Sequence, residues 1–478
     1  MYYRNLLDDF AIWSYDINRR SRNKIIKEGL GNDMGNNNLQ TSKMERLSYA
    51  GFFLGQNIIY IIPLQLLSFF YTDYVGLNAV HAGILLLIAK IWDAINDPIM
   101  GAIVDKCNFK GGKYLPWIKV ATFTLPASMF FMFVNIDGPY YLKLIYAYLT
   151  YIVFDMIYTI SDSPLFSLST VMTDSSYERD KLIASGRLAA ALAAITSAFV
   201  FEIKKYAGWT WTVGIYGLIA LLVMFPLPFK AKERMKYQRS EDITFVKIFR
   251  YLFKNKYLLI YFLGYLAIET TNTLQIMAAY FASSNLGDEG MYMIIMAVSI
   301  LPVIVIAPFL PMLIVKFGKK WLTISCSAAA IILSIVQYFT GYESLVIFLI
   351  LASARVLSMQ VPMMLYGMFT ADCIEYGAYI NGERTECISF SIQTFVTKLG
   401  GAFCNGLCLF LLGIFGYVGS TSESKAVQSA TALEGIWVIM TLIPASGFLI
   451  MIFIMFFYKL DEKKIAAMME QNQKKVQG

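Results

Sequence analysis

Ile91-Trp92-Asp93-Ala94-Ile95-Asn96-Asp97-Pro98 sets two carboxylates inside an apolar run that opens upstream at Gly83-Ile84-Leu85-Leu86-Leu87-Ile88-Ala89. Joined as one helix, these stretches are long enough to cross the roughly 30 Å hydrocarbon core of a bilayer. An ionised side chain at the bilayer centre costs at least about 2.5–3.5 kcal/mol, so acids persist there where they face a polar interior. Asp93 and Asp97 stand about 40° apart around a helix of about 3.6 residues per turn and so share one face. Asn96 adds a neutral oxygen beside them. Two readings follow: the acids pair with Lys or Arg on a neighbouring helix, or they hold a small cation or a proton. Carboxylate and amide oxygens are the hard ligands the second reading needs. It is favoured because two acids this close repel unless positive charge lies between them.

The rest of the chain agrees with a membrane setting. Of 478 residues, 57% are hydrophobic and 15% charged, and the mean hydropathy is +0.56; a soluble chain of this length would carry more charge. The net charge of +7 gathers in loops and tails between apolar runs. That distribution points to topology and contact with the lipid bilayer, not to nucleic acid. The chain opens on polar residues, with no short apolar run ending in a cleavage site, so no removable signal peptide is expected. Six scattered cysteines lack CxxC spacing, and His81 is the sole histidine; zinc centres, disulfide frameworks and His-based triads are not expected. With no P-loop either, neither an enzyme nor an ATP-driven pump is expected, and no cofactor.

Twelve apolar segments follow a polar tail, at about 47–71, 80–105, 114–134, 140–165, 184–203, 211–229, 256–282, 290–315, 321–340, 344–371, 388–416 and 434–458. The fold class expected is an all-α membrane protein with twelve transmembrane helices in two six-helix bundles. Its parts are a tail (1–45), a first bundle (46–229), a linker (230–255), a second bundle (256–458) and a closing tail (459–478). Lys106–Lys113, Lys230–Lys256, Lys316–Lys320 and Lys463-Lys464 are basic, whereas Asp73–His81 and Ser283–Gly290 hold no Lys or Arg. Both termini are therefore expected in the cytoplasm. A repeat supports the division: Pro98-Ile99-Met100-Gly101 through Lys106 recurs as Pro308-Phe309-Leu310-Pro311 through Lys316. The acids do not recur, since Val303 and Ala307 stand where Asp93 and Asp97 would be.

Other polar groups interrupt the spans. Asp162 lies near the end of the fourth, with Thr159 on its face. Arg187 opens the fifth, either snorkelling to an interface or joining the interior. Lys398 is too deep in the eleventh to reach water without an internal cavity. Glu269 and Asn272 interrupt the seventh. Balanced charges, amides and rings suit a sugar, whose hydroxyls need donors and acceptors and whose flat face stacks on aromatics. Gln56, Asn57, Tyr158 and Phe166 are available at similar depth. The residues by themselves thus point to a two-repeat transporter with a cation site.

The run from Ile91 to Gly101, continued by Gly112-Lys113-Tyr114-Leu115-Pro116-Trp117, closely resembles the glycoside–pentoside–hexuronide:cation symporter family of the major facilitator superfamily, typified by the melibiose permease. Phe70 through Leu77, Ile392-Gln393-Thr394 with Lys398, and Glu375-Tyr376-Gly377 through Arg384 and Glu386 are similar as well. The resemblance spans Tyr49 to about Gly416. It implies that Asp93, Asn96, Asp97 and Thr159 bind the coupling cation. It implies that Asp162, Arg187, Gln393, Thr394 and Lys398 bind sugar or link the two sites, joined by Gln56, Asn57, Tyr158 and Phe166. Asp105, Lys106, Arg384 and Glu386 belong to cytoplasmic gating patterns. Asn57 stands where the family has a sugar-binding acid, and Phe166 where it has a stacking tryptophan. Losing that acid suits an anionic hexuronide, while Asn57 also suits a neutral glycoside or pentoside.

The expected function is symport of a sugar with Na⁺ or H⁺ by alternating access, in the plasma (inner) membrane and as a monomer. Asn96 and Thr159 favour Na⁺, since a proton needs no neutral oxygens. The rival expectation is a lysolipid carrier of the same fold.

Overall fold

The computed structural model describes residues 40–107, 109, 111–173, 175–234, 253–381, 386–420, 426–460, 464, 465, 467, 468 and 471. By its contacts the chain divides into two units, Met1–Lys43 and Met44–Gly478; nearly all described residues belong to the second. Among them the structure is helical, with one isolated bridge between Phe109 and Gly112. The expected linker falls mainly at 235–252, outside the described residues.

In the first half, α1 (Lys43–Asp73), α2 (Ala79–Lys106), α3 (Leu115–Met132), α4 (Tyr140–Met172), α5 (Ser176–Ser197) and α6 (Val200–Met224) follow in order. The second half holds α7 (Lys256–Thr270), α8 (Leu274–Tyr280), α9 (Met291–Ile306), α10 (Leu310–Phe317) and α11 (Lys319–Thr340), then α12 (Leu345–Met364), α13 (Tyr366–Asn381), α14 (Glu386–Ile414) and α15 (Ala430–Phe457). Each of the twelve expected spans coincides with a helix or a pair of helices. Eight are long and apolar enough to cross a membrane. The others are α2 and α5, which carry more charge, and the broken pairs α7–α8 and α9–α10.

Local chemistry explains where boundaries differ from expectation. α1 begins at Lys43, inside the expected tail. α5 begins at Ser176, ahead of the expected 184, because Ser175 caps it by accepting from Glu178 N. Gly208, at φ 73° and ψ 172°, breaks α6, so the sixth span effectively starts after that turn; a side chain there would be strained. Pro308 lies in the turn that separates α9 from α10. Glu233 takes the N–H groups of Lys113, Tyr114 and Leu115 at 2.7–2.8 Å, satisfying the open donors at the start of α3.

The two halves meet along α2 and α14. Glycines make the approach close: a Cβ on Gly413 would lie 2.6 Å from Val80 Cγ2, and one on Gly83 3.0 Å from Leu409 Cβ. The loops that follow α1 and α8 and precede α15 tie the same end. Tyr417 donates to Asp73 at 2.5 Å, and Thr72 shares a 2.9 Å hydrogen bond with Tyr280. Tyr292 donates to Gln65 at 2.9 Å, and Lys204 pairs with Glu289 at 2.6 Å.

Gly413→Leu should therefore lower stability by about 1–3 kcal/mol, the usual cost of overpacking. Gly406→Ala, whose Cβ finds only ordinary contacts of 3.8–4.0 Å with Leu87, should be near neutral. Unfolding midpoints of the two variants in detergent check this.

Candidate functional site

The site is built where α2, α4 and α14 converge. α2 presents Lys90, Asp93 and Asn96 at three-residue steps along one face. Asp93 and Asn96 are both buried. Asp93 Oδ2 lies 3.5 Å from Lys90 Nζ and 3.5 Å from Lys398 Nζ, the latter reaching across from α14. Its other oxygen, Oδ1, is buried without a hydrogen-bond partner among the described residues. Ion pairs at 3.5 Å are longer than the roughly 2.7–2.9 Å of a charge-assisted hydrogen bond. Each is still worth about 4 kcal/mol of attraction at an effective dielectric near 20. The carboxylate is thus held by two ammonium groups, with one edge left for a further ligand.

α4 supplies the facing wall. Asn96 Nδ2 donates to Thr159 Oγ1 at 3.2 Å, and Thr159 donates to the Asp155 carbonyl at 3.1 Å. Asp155, also buried, places Oδ1 3.8 Å from Lys90 Nζ. Lys90 further lies 5.6 Å from the Tyr60 ring centroid and 6.0 Å from that of Tyr151, within reach of cation–π attraction. Tyr60 stacks on Tyr158 at 4.9 Å.

One turn farther along α4, Asp162 accepts from Gln56 Nε2 at 3.1 Å, and Gln56 also donates to Ser161 at 2.9 Å. Gln56 is wholly buried; its amide hydrogens orient Asp162. Asn57 donates to its own helix at Phe53 O, 2.8 Å away. Phe166 is exposed and meets Phe53 edge-on. On α14, Gln393 is half-buried with Oε1 lacking a hydrogen-bond partner among the described residues, and its carbonyl accepts from Tyr366 at 3.1 Å. Thr394 is exposed on the same helix. The side chains of Asp97, Asp105, Lys106, Arg187 and Glu386 lie outside the described residues, as does Arg384 entirely.

The structure therefore joins Asp93, Asn96, Thr159 and Lys398 in one cluster, and Gln56 with Asp162 beside it. It also makes real the ion-paired alternative: Asp93 is neutralised from its own helix and from another. Lys90 and Asp155 are the residues that sequence reasoning missed. Lys90 stands three residues before Asp93, a same-face spacing, and both interrupt apolar runs; those were the available signals. Arg355 on α12 is a wholly buried cation, whose Nη1 donates to Met440 O at 2.8 Å and fastens α12 to α15.

These charges lie among helices of which eight spans are long and apolar enough to cross a membrane. The sequence model of one family, described as MFS/sugar transport protein, matches residues 48–462. The chain belongs to that family. Within it, the similarity is to the glycoside–pentoside–hexuronide:cation symporters. The chain is 29% identical over 445 residues to "Uncharacterized symporter YnaJ" of Bacillus subtilis (strain 168), covering 90% of this chain and 94% of that one. It is 27% identical to "Glucuronide carrier protein homolog" of Escherichia coli (strain K12), covering 90% and 96%. It is 26% identical to "Isoprimeverose transporter" of Lactiplantibacillus pentosus, covering 89% and 91%. Among solved structures, nucleoside transporter NupG superposes with a TM-score of 0.65 at 12% identity, covering 87% of this chain and 100% of that one. A D-xylose-proton symporter gives 0.59 at 13%, covering 85% and 96%. These last two show the fold. As a member of the MFS/sugar transport family the chain is a multi-pass membrane transporter, not an enzyme.

Because Asp93 and Lys398 compensate one another, Asp93→Leu and Lys398→Leu should each destabilise the protein. The double variant should be more stable than the sum predicts, with a coupling energy of about 0.5–3 kcal/mol. A double-mutant cycle by thermal unfolding measures it.

Proposed function

We propose that this protein is a sodium-coupled sugar symporter, with a hexuronide as its preferred substrate class. The observation that carries the reading is Asp93, which meets Lys90 and Lys398 at 3.5 Å each and keeps one oxygen without a hydrogen bond. Sodium arriving there would take carboxylate oxygens from Asp93 and Asp97 and neutral oxygens from Asn96 and Thr159. A compact cation at the carboxylate repels the ammonium groups already beside it. Lys398 is then released from Asp93 toward the interior of the bundle, where a uronate carboxylate can pair with it and Asp162 can accept sugar hydroxyls. Cation binding thus prepares the sugar site, and by linkage the sugar tightens the cation by the same factor.

The hexuronide preference rests on charge. Asn57 stands where the family pattern has an acid and spends its N–H on Phe53 O, so α1 offers no carboxylate at that position to repel an anionic sugar. Similarity to a glucuronide carrier homolog supports the same class.

With both termini in the cytoplasm of a bacterial inner membrane, the tied end of the bundle is extracellular. Tyr417–Asp73, Thr72–Tyr280, Gln65–Tyr292 and Lys204–Glu289 are then an outer gate in its closed position. Rocking of the six-helix halves breaks these contacts and turns the midplane site outward.

In proteoliposomes, an imposed sodium gradient should drive accumulation of a glucuronide above its external level, and neutral glycosides should accumulate less. Asp97→Asn should retain exchange at equal concentrations but lose accumulation by at least about tenfold, because uphill movement needs the coupled ion. Undiminished accumulation in that variant, or accumulation driven by a pH gradient alone, contradicts the proposal.

A further inference from the structure

Among the described residues Lys90 has two acidic neighbours, not one. Its ammonium lies 3.5 Å from Asp93 Oδ2 on its own helix and 3.8 Å from Asp155 Oδ1 on α4. Both distances are ion-pair distances beyond ordinary hydrogen-bond length, so the ammonium is shared between the two carboxylates and settled on neither. The surroundings are closed: the side chains of Lys90, Asp93 and Asp155 are 10%, 4% and 3% exposed. The Tyr60 ring on α1 and the Tyr151 ring on α4 both lie within about 6 Å of the ammonium. Tyr151, Asp155 and Thr159 repeat at four-residue steps on α4, and Thr159 is the residue bonded to Asn96. Asp155 therefore belongs to the face of α4 that closes the cation site, one turn from the expected ligand.

This arrangement has a consequence for the sodium reading, on which it rests. Sodium at Asp93 needs Lys90 to withdraw, and a buried ammonium left without a counter-ion is strongly unfavourable. The lysine stem is flexible enough to shift its head by the small distance between the two carboxylates. We propose that Asp155 is a positioning residue of the coupling machinery: it receives the Lys90 ammonium when the coupling cation takes Asp93. Asp155 thereby sets the cation affinity without contacting the cation. In its absence Lys90 has only Asp93 to pair with and competes with sodium for that carboxylate. The pair Lys90–Asp155 is a two-position element, distinct from Lys398, whose release serves the sugar.

The test is sodium binding to the purified full-length protein, by titration calorimetry with sodium chloride against a choline chloride control and with no sugar present. Asp155→Asn should weaken sodium binding by at least about tenfold, and Asp155→Glu should remain within about threefold of the wild type. The double variant Lys90→Gln with Asp155→Asn should recover most of the lost affinity, since it removes the competitor together with its refuge. Unfolding midpoints of the same variants exclude a merely structural role, which would lower sodium affinity and midpoint together, whereas the inference expects Asp155→Asn to lose affinity with its midpoint kept, Lys90 still being paired with Asp93. Should Asp155→Asn fail to fold, the double variant, which leaves no unpaired charge, still answers by binding sodium as tightly as the wild type. Wild-type sodium affinity in Asp155→Asn, or a double variant binding at least about tenfold more weakly than the wild type, overturns the inference alone. A wild-type protein that binds no sodium overturns the sodium reading and the inference with it.

Discussion

A buried carboxylate must be compensated, and in this protein that requirement falls on Asp93. Buried on α2, it draws one ammonium from its own helix and another from α14 in the opposite half. The second contact links the two halves by charge. An ion pair across two bodies that must move is a poor permanent fastener. It serves better as a contact that an arriving cation can exchange. The same low-dielectric setting that makes an unpaired Asp93 costly makes each exchange of partner energetically significant.

Apart from the Lys204–Glu289 ion pair at the tied end, the other contacts described between the halves are of a different kind. Gly83 and Gly413 let α2 and α14 approach closely, and the hydroxyls of Tyr280, Tyr292 and Tyr417 meet Gln65, Thr72 and Asp73. Such contacts depend on shape and hydrogen bonding, and both are lost together when the helices separate. On the proposed reading, charge exchange at the centre and hydrogen-bonded closure at one end divide the work: the first responds to what is bound, the second to which side is open.

Much of this was legible in the sequence because the bilayer imposes a length. Each span had to supply about 20 apolar residues, so the helices were found nearly where they occur. Helix breaks at Gly208 and Pro308 shifted boundaries by a few residues. Acids in apolar runs are conspicuous, and Asp93, Asn96, Thr159 and Lys398 do come together. Sequence gives depth along a helix but not which helix faces which. Gln56 and Asn57 were expected at the sugar site, and what packing adds is their partners: one amide bonds Asp162 and the other its own backbone. Lys90 was visible at the same spacing from Asp93 as Asn96, but its pairing with Asp155 joins positions 65 residues apart on two helices. Only packing reveals that contact.

The central claim is that cation and sugar act through the same charges at Asp93 and Lys398. Calorimetry on the purified protein tests it most directly, by measuring glucuronide affinity at zero and at saturating sodium, and sodium affinity with and without glucuronide. The account predicts that each ligand tightens the other by the same factor, and that Lys398→Gln reduces this factor toward one. Glucuronide affinity that is identical with and without sodium would contradict it.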